Sequence, residues 1–132
     1  MPPMFLNGGG MRGGPVHHHI EGVPLLGELR TAPKYRFYSI REEFPALVAT
    51  AAGGAAIMGE LYDVPIDMLH RSLLPAEPPE LELGTIELEN GFVSFAMLLR
   101  REVLERGAGL IEITKYGSWR ASQGEGRAER SV

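Results

Sequence analysis

Apolar and polar side chains alternate from Tyr35 to Ile40, and this period of two predicts a β-strand with one buried face. Residues 47–52 predict a second strand, and residues 55–64, bounded by glycine and proline, predict a third. Side chains two residues apart in a strand point to the same side of the sheet. We therefore expect Glu60 and Tyr62 on one face of the third strand.

Apolar positions three and four residues apart predict a short helix between Pro65 and Pro75, because proline suits the first turn of a helix and stops its continuation. A second helical segment is predicted over residues 100–106 and ends at Gly107. After it, residues 110–114 return either as a short strand or as the end of a helix. The helices are thus expected to be few and short.

Asn90-Gly91 is the strongest hairpin signal in the chain, and it predicts an antiparallel pair over residues 84–89 and 92–98. With the other strands and one to three short helices, this pattern indicates an α+β fold with a small, highly curved or closed, mostly antiparallel sheet. We expect one domain over residues 1–121. The polar residues 122–132 are expected to form a disordered tail.

The bulk composition excludes several classes of partner. The formal net charge is −4 over 132 residues and the basic residues are scattered, so neither nucleic acid nor an anionic membrane surface is expected. No cysteine occurs, which excludes thiol catalysis and cysteine-ligated metals. No apolar run approaches the roughly eighteen residues of a membrane span, and we expect a cytoplasmic protein. Small molecules or other proteins are the expected partners.

A glycine-rich stretch, residues 8–14, precedes His17, His18 and His19. Glycines let successive backbone N–H groups turn toward one anion, and Arg12 adds a cation that can clamp a carboxylate. Two interpretations stay open, an anion-binding loop or a flexible segment with a histidine run from a purification tag. Neighbouring side chains diverge in strands and helices, so the three histidines predict no metal site, and we expect no metal or other cofactor.

Several short motifs occur in the same order as in a known family, over residues 5–121. They are Gly10-Met11-Arg12-Gly13, Thr31-Ala32-Pro33-Lys34-Tyr35-Arg36, Gly59-Glu60-Leu61-Tyr62, Leu83-Gly84-Thr85-Ile86-Glu87-Leu88, Asn90-Gly91 and Ile113-Thr114-Lys115-Tyr116-Gly117-Ser118-Trp119-Arg120. In this order the motifs resemble the C-terminal domain of allophanate hydrolase. The resemblance implies a γ-glutamylcyclotransferase-like fold and a place in nitrogen metabolism.

In that family an amidase domain cleaves allophanate, and the C-terminal domain is assigned the decarboxylation step. The resemblance implies that this chain binds a small carboxylate and acts on N-carboxyurea or a related carbamate or urea-amide compound. The Gly-Gly-Ser-Ser amidase signature is missing, so no amide hydrolysis is expected from this chain alone. The alternative is a non-catalytic accessory or binding subunit that associates with a separate amidase or with itself as a homodimer. Whether the chain is an enzyme stays open.

His18 falls where the family has a histidine, and it is the expected acid/base residue, because histidines exchange protons near neutral pH. Glu60 is the second catalytic candidate, as a carboxylate on a half-buried strand with an expected raised pKa. Alternatively, Glu60 forms a structural ion pair with Arg36 across the sheet. The expected substrate-binding residues are Gly9, Gly10, Met11, Arg12, Gly13, Tyr35, Arg36, Tyr62 and Arg120.

The γ-glutamylcyclotransferases of the same superfamily use a glutamate as general acid/base, and Glu77 is the nearest match. Prolines surround Glu77 in place of the superfamily's pattern, and the Tyr-Gly-Ser loop is missing from the amino-terminal part of the chain. Activity as a γ-glutamylcyclotransferase is therefore the weaker alternative. Glu77 itself is expected to be a solvent-exposed loop charge.

Overall fold

The structure, a computed structural model, describes residues 3–126, which form one eight-stranded mixed sheet with short helical segments. The strands are β1 (Met4–Leu6), β2 (Leu25–Arg30), β3 (Tyr35–Ile40), β4 (Phe44–Ala49), β5 (Met58–Tyr62), β6 (Leu81–Glu87), β7 (Val93–Leu99) and β8 (Leu110–Glu112). The helical segments are His17–Ile20, Ile66–Met68, Leu69–Leu73, Leu74–Ala76, Arg101–Arg106, Thr114–Tyr116, Trp119–Ala121 and Ser122–Gly126. Three of these are consecutive and make one helix over residues 66–76.

The strands follow the order β2-β5-β1-β7-β4-β3-β8, and β7 also pairs with β6. The pairs of β7 with β1 and with β4 are parallel, and the other pairs among the described strands are antiparallel. The sheet curls into a half-barrel. Two backbone hydrogen bonds join the end of β2 and the residues after it to the end of β6 and the residues after it, from Ala32 N to Glu87 O at 2.9 Å and from Glu89 N to Arg30 O at 3.0 Å. The expected α+β fold with a highly curved, mostly antiparallel sheet is confirmed.

The structure confirms most of the elements expected from the pattern and shifts several boundaries. Strand β3 has the predicted bounds, and the hairpin around Asn90-Gly91 is present, with its strands at Leu81–Glu87 and Val93–Leu99 in place of the predicted residues 84–89 and 92–98. Strand β4 begins and ends three residues before the prediction, because β3 turns back at Arg41 and Glu42, both at positive φ. No glycine or asparagine marks that turn, so the sequence pattern did not indicate it.

The pattern missed β1 and β2, for different physical reasons. All three residues of β1 are buried, so the strand has no polar alternation to detect. In β2 two neighbouring leucines, Leu25 and Leu26, are exposed, and the pairing with β5 shifts register between Leu25 and Gly27. A bulge of this kind breaks the period of two.

The helix over residues 66–76 packs on the sheet where β1 and β5 lie side by side. Its buried side chains Leu69 and Leu73 share a core cluster with Met4, Leu6 and Tyr62. A second core cluster includes Phe5, Phe37, Leu47, Ile57 and Ile113. The end of the helix is thereby held near the loop that follows β1, and this arrangement places the candidate site.

The carboxy-terminal residues 122–126 form a helical turn, and the Ser122 side chain is buried. The remainder of the expected tail, residues 127–132, lies outside the described residues. Within residues 3–126, no helix combines the length and the apolar character needed to cross a bilayer.

Candidate functional site

The chain that follows β1 forms a compact loop over residues 7–14, called the glycine loop below. Its own backbone folds it, with hydrogen bonds from Met11 N to Gly8 O at 3.1 Å and from Gly14 N to Met11 O at 2.8 Å. A Cβ at Gly14 would lie 2.1 Å from the Gly9 carbonyl oxygen, and a Cβ at Gly8 would lie 2.5 Å from the ring of Pro45. Glycine is therefore required at both positions for steric reasons.

Replacing Gly14 by alanine is expected to lower the free energy of unfolding by about 1–3 kcal/mol, because the added methyl group overlaps a backbone carbonyl that cannot rotate away. Chemical denaturation of the variant and the native protein measures the change. Gly124→Ala is the matched control, since a Cβ there meets nothing within 4 Å. Equal stability of the two variants would contradict the close backbone approach at Gly14.

A small cavity lies between the glycine loop and the chain of β4, β6 and β7, and it is called the glycine-loop cavity below. Its volume is about 30 Å³, which gives room for about two water-sized groups. Two carboxylate oxygens need a similar space. The cavity is lined by Phe5, Leu6, Asn7, Gly8, Gly9, Gly10, Phe44, Pro45, Glu77, Leu81 and Met97.

Three hydrogen-bond donors of the residues that line this cavity have no acceptor among residues 3–126. The Asn7 side-chain Nδ2 is buried and has no hydrogen-bond acceptor among residues 3–126. In the same part of the chain, the backbone N–H groups of Gly9 and Gly10 also meet no acceptor. Unpaired buried donors are rare in folded proteins and cost about 1–3 kcal/mol each. Three donors without acceptors around one cavity indicate a site for an anionic or acceptor-rich group.

Glu77 brings a carboxyl group to the same cavity. It follows the helix over residues 66–76 directly, and its N–H donates to Leu74 O at 3.1 Å. The expectation that Glu77 is a solvated loop charge is wrong, because the packed helix holds it half-buried beside the glycine loop. Burial raises the pKa of the Glu77 carboxyl group to about 7, and no described side chain pairs with it.

Glu77 also borders a larger groove on its other side, called the Arg100 groove below. This groove has a volume of about 270 Å³ and shares Glu77, Leu81 and Met97 with the glycine-loop cavity. Arg100 lines it and donates from Nε to the Pro79 carbonyl at 2.9 Å. A ligand larger than a carboxylate group therefore has room to extend past Glu77.

The raised pKa of Glu77 predicts a stability that depends on pH. Between about pH 4.5, the ordinary glutamate value, and pH 7, the folded state keeps a proton that the unfolded chain has lost. Stability therefore falls as the pH rises through this interval. Glu77→Gln removes this penalty and is expected to gain about 3 kcal/mol relative to the native protein between pH 4 and pH 8. Chemical denaturation at both pH values measures the gain. Glu82→Gln, in the Arg100 groove, is the control, and no such gain in stability is expected for it.

Glu60 lies on the opposite side of the glycine loop from this cavity, and its side chain is 1% exposed. Its Oε1 accepts the Arg12 backbone N–H at 2.8 Å and the Tyr62 hydroxyl at 2.8 Å. Its Oε2 accepts Arg12 Nε at 3.0 Å and lies 3.6 Å from Arg120 Nη2. The predicted shared face of Glu60 and Tyr62 is confirmed. Both oxygens of Glu60 are occupied by neighbours.

The raised pKa expected for Glu60 is wrong. Burial of the carboxyl group opposes ionisation, but hydrogen bonds from the Arg12 N–H, the Tyr62 hydroxyl and the Arg12 guanidinium outweigh burial and lower the pKa of Glu60. Burial and the same contact raise the pKa of Tyr62 to about 12. The alternative ion pair of Glu60 with Arg36 is also wrong, because Arg36 lies 3.9 Å from Glu112.

Two of the three arginines expected to bind substrate, Arg12 and Arg120, are engaged with protein groups near the glycine loop. Besides Glu60, the Arg12 guanidinium contacts Glu28 Oε1 from Nη2 at 2.7 Å. Arg120 donates from Nη2 to the Arg12 carbonyl oxygen at 2.7 Å. Both arginines line an open cleft of about 410 Å³ with Gly13 and Trp119. Their charges are compensated by carboxylates, so among residues 3–126 neither arginine of the cleft lining is left without a carboxylate partner.

The remaining candidates fall into two groups. Met11 is buried in the core cluster beneath the glycine loop. Tyr35 lies in the other core cluster, where its hydroxyl accepts the Glu87 N–H at 2.8 Å, and Arg36 donates to the Ala52 carbonyl at 3.1 Å. Neither Tyr35 nor Arg36 belongs to the linings of the cavities described above. Gly9 and Gly10 line the glycine-loop cavity, and their role in binding substrate stays a prediction.

The three histidines lie on one short helical turn and point to different surroundings. His17 Nδ1 donates to the Gly10 carbonyl at 2.9 Å, and His19 Nδ1 lies within hydrogen-bonding distance of Ser72 Oγ, at 3.2 Å. His18 is exposed and stacks on His19 with ring centroids 4.1 Å apart. His18 lines neither the glycine-loop cavity nor the open cleft, and its role as an acid/base residue stays a prediction. Among residues 3–126 no cluster of metal-binding side chains is found.

Sequence reasoning missed Asn7 and underrated Glu77. A polar amide directly after a fully buried strand, and a glutamate between apolar residues and a pair of prolines, were the available signals. Neither signal shows that the two residues line one cavity. That placement depends on how the helix over residues 66–76 packs against β1.

The sequence of this chain is similar to those of known proteins. The family model of the allophanate hydrolase C-terminal domain matches residues 2–124. The urea amidolyase of Saccharomyces cerevisiae is 29% identical over 123 residues, which cover 86% of this chain and 6% of that protein. This chain therefore spans a small part of the curated relative's length.

Two solved structures share the fold over nearly the whole chain. The crystal structure of c4763, a uropathogenic E. coli-specific protein, is 30% identical with a TM-score of 0.85, and the match covers 93% of this chain and 95% of that one. A variant allophanate hydrolase from Kluyveromyces lactis is 22% identical with a TM-score of 0.85, and the match covers 93% of this chain and 21% of that one.

Proposed function

Because this chain belongs to the allophanate hydrolase C-terminal domain family, we propose that its glycine-loop cavity binds a small carboxylate of the carbamate or urea-amide class, such as N-carboxyurea, and releases CO2 from it. The observation that carries the proposal is the set of unpaired donors around the cavity, Asn7 Nδ2 and the N–H groups of Gly9 and Gly10. A carboxylate supplies acceptors for all of them.

Glu77 supports the second part of the proposal, because its burial keeps the carboxyl group protonated up to about pH 7. A neutral carboxylic acid does not repel a bound carboxylate. It is also a proton donor close to the bound group, and the Arg100 groove beside it has room for the remainder of the ligand. The donors that would bind the carboxylate and the acid that would protonate the leaving nitrogen thus line the same cavity.

The proposed step breaks the bond between the nitrogen and the carboxylate carbon. The electron pair of that bond stays on nitrogen and CO2 leaves, while the Glu77 proton moves to the nitrogen, so that an N-carboxylate gives an amine or amide and CO2. Water then returns a proton to the Glu77 carboxylate. The loop donors bind the carboxylate of the substrate in the ground state and so contribute to affinity. The proton from Glu77 stabilises the negative charge that develops on nitrogen and so increases the rate of the step.

Location and partners form part of the same proposal. A carbamate or urea-derived carboxylate is a small metabolite, and we place its conversion in the cytoplasm. Neither nucleic acid nor a membrane is proposed as a partner, since the charge is small and the basic residues are scattered.

A non-catalytic role is the second candidate, and exposed apolar side chains favour it. Leu26, Phe92 and Val93 are more than half exposed, at 54%, 72% and 55%. Side chains of this kind are enriched in contacts between proteins. In this alternative the chain associates with a separate amidase or with a second copy of itself. Sedimentation velocity at about 100 μM protein tests self-association, and a protein that stays monomeric there would count against it.

The test of the proposed reaction is CO2 release from freshly prepared N-carboxyurea. Release is followed in the presence and absence of the native protein at pH 7, with the spontaneous rate subtracted. We expect release to increase with protein concentration and to saturate with N-carboxyurea. Saturable binding without faster release would indicate a carboxylate-binding accessory protein. If the protein neither binds N-carboxyurea nor accelerates the release of CO2, the proposal is wrong.

A further inference from the structure

Arg12 is the residue of the glycine loop that charged side chains from distant parts of the fold hold in place. Its backbone N–H donates to Glu60 Oε1 at 2.8 Å, and its backbone carbonyl accepts Arg120 Nη2 at 2.7 Å. Both polar groups of one peptide residue are thus fixed by charged side chains from β5 and from the carboxy-terminal Trp119–Ala121 segment. Charge-assisted hydrogen bonds of this type are about twice as strong as neutral ones.

Glu60 and Arg120 also contact each other, so the two contacts form one unit. Arg120 Nη2 lies 3.6 Å from Glu60 Oε2, and Arg12 Nε lies 3.0 Å from the same oxygen. Tyr62 completes the unit by donating its hydroxyl to Glu60 Oε1. Because Glu60 is 1% exposed, its orientation is fixed by packing as well as by these bonds.

We propose that Glu60 and Arg120 are positioning residues for the anion-binding glycine loop, and that they set the direction of the Gly9 and Gly10 N–H groups through Arg12. This inference rests on the proposed function, because it assigns a purpose to the loop geometry. Arg12 lies two residues after Gly10, and the hydrogen bond from Met11 N to Gly8 O transmits its position to the donors. Both oxygens of Glu60 contact protein groups and its side chain is 1% exposed, so in this proposal it acts through Arg12.

The carboxy-terminal Trp119–Ala121 segment therefore contributes to a site that it does not line. Neither Arg120 nor Glu60 belongs to the lining of the glycine-loop cavity. Loss of the Arg120 contact is expected to loosen the loop while the sheet and the helix over residues 66–76 keep their packing. A purely structural ion pair on the surface would have no such local effect, since exposed pairs contribute little.

The experiment measures amide hydrogen exchange by NMR at Arg12 and Gly14 in the native protein and in Arg120→Ala. We expect exchange at these amides to become about tenfold faster in the variant, with an unfolding midpoint close to that of the native protein. Arg30→Ala is the matched control, because the Arg30 side chain is also 56% exposed and also pairs with a glutamate. Exchange at the loop amides is expected to stay within about twofold in this control.

A second arm measures the Kd of malonamate, a stable analogue in which CH2 replaces the NH of N-carboxyurea. Arg120→Ala is expected to raise this Kd about fivefold to tenfold, and Arg120→Lys, which keeps one donor for the Arg12 carbonyl, is expected to restore most of the affinity. Unchanged exchange at Arg12 and Gly14 in Arg120→Ala would overturn the inference. If the native protein binds no malonamate while exchange still accelerates, the proposed function fails and the positioning of the loop stands.

Discussion

Glu77→Gln is expected to lower the rate of CO2 release from N-carboxyurea by about 10²–10⁴-fold, the usual contribution of a positioned general acid. Glutamine keeps the shape and the burial of Glu77 but has no acidic proton to give to the leaving nitrogen. Initial rates at pH 7 for the variant and the native protein measure the loss. The variant is expected to be at least as stable as the native protein above pH 7, so unfolding does not account for a lower rate.

The pH profile sharpens this prediction. Since burial raises the pKa of Glu77 to about 7, the acid form is lost as the pH rises through that value, and kcat/KM is expected to fall about tenfold for each further pH unit. His18→Ala is the comparison variant, because His18 is exposed and lines neither cavity beside the loop. If His18→Ala abolishes release and Glu77→Gln leaves it unchanged, the proton comes from the histidine and the assignment to Glu77 is wrong.

Glu60→Gln is expected to lower the free energy of unfolding by about 1–3 kcal/mol, because a buried glutamine replaces a carboxylate that accepts three hydrogen bonds, and it leaves some of these donors poorly satisfied. Denaturant titrations at pH 7 measure the change. Glu28→Gln is the matched control, since Glu28 contacts the same Arg12 guanidinium but is half exposed, and a loss within about 1 kcal/mol is expected.

The same carboxyl group sets a pH dependence of opposite sign to that of Glu77. Because the folded state lowers the pKa of Glu60, its stabilising contribution is complete above the ordinary glutamate value of 4.5 and is lost as the pH falls below it. The difference between Glu60→Gln and the native protein is therefore expected to shrink in acid. A difference that stays constant from pH 7 to pH 3 would show that Glu60 acts through packing alone.

A strand in which apolar and polar residues alternate, and a hairpin turn that contains glycine, were predictable from the local sequence. Strand β3 and the hairpin at Asn90-Gly91 follow from side-chain period and turn chemistry, which act over a few residues. The bounds of β4 were not predictable in this way, because they depend on a turn at Arg41 and Glu42 that local propensity does not favour. Tertiary pairing with β3 decides that position.

The candidate site was predictable only in part, since its groups lie far apart in the sequence. The glycine loop was visible as a composition, and the shared face of Glu60 and Tyr62 followed from strand geometry. The engagement of Arg12 by Glu60, 48 residues away, was not visible, and it turns an expected substrate clamp into part of the loop's support. Glu77 reaches the loop only because the helix before it packs on β1.

The most direct test of the account is a malonamate titration of the uniformly ¹⁵N-labelled native protein, with malonamide, which lacks the carboxylate, as the control ligand. The account predicts saturable shifts of the Gly9 and Gly10 backbone amides and of the Asn7 side-chain amide with malonamate, and no such shifts with malonamide. Equal shifts with both ligands, or shifts confined to residues away from the glycine loop, would contradict a carboxylate site at the glycine-loop cavity.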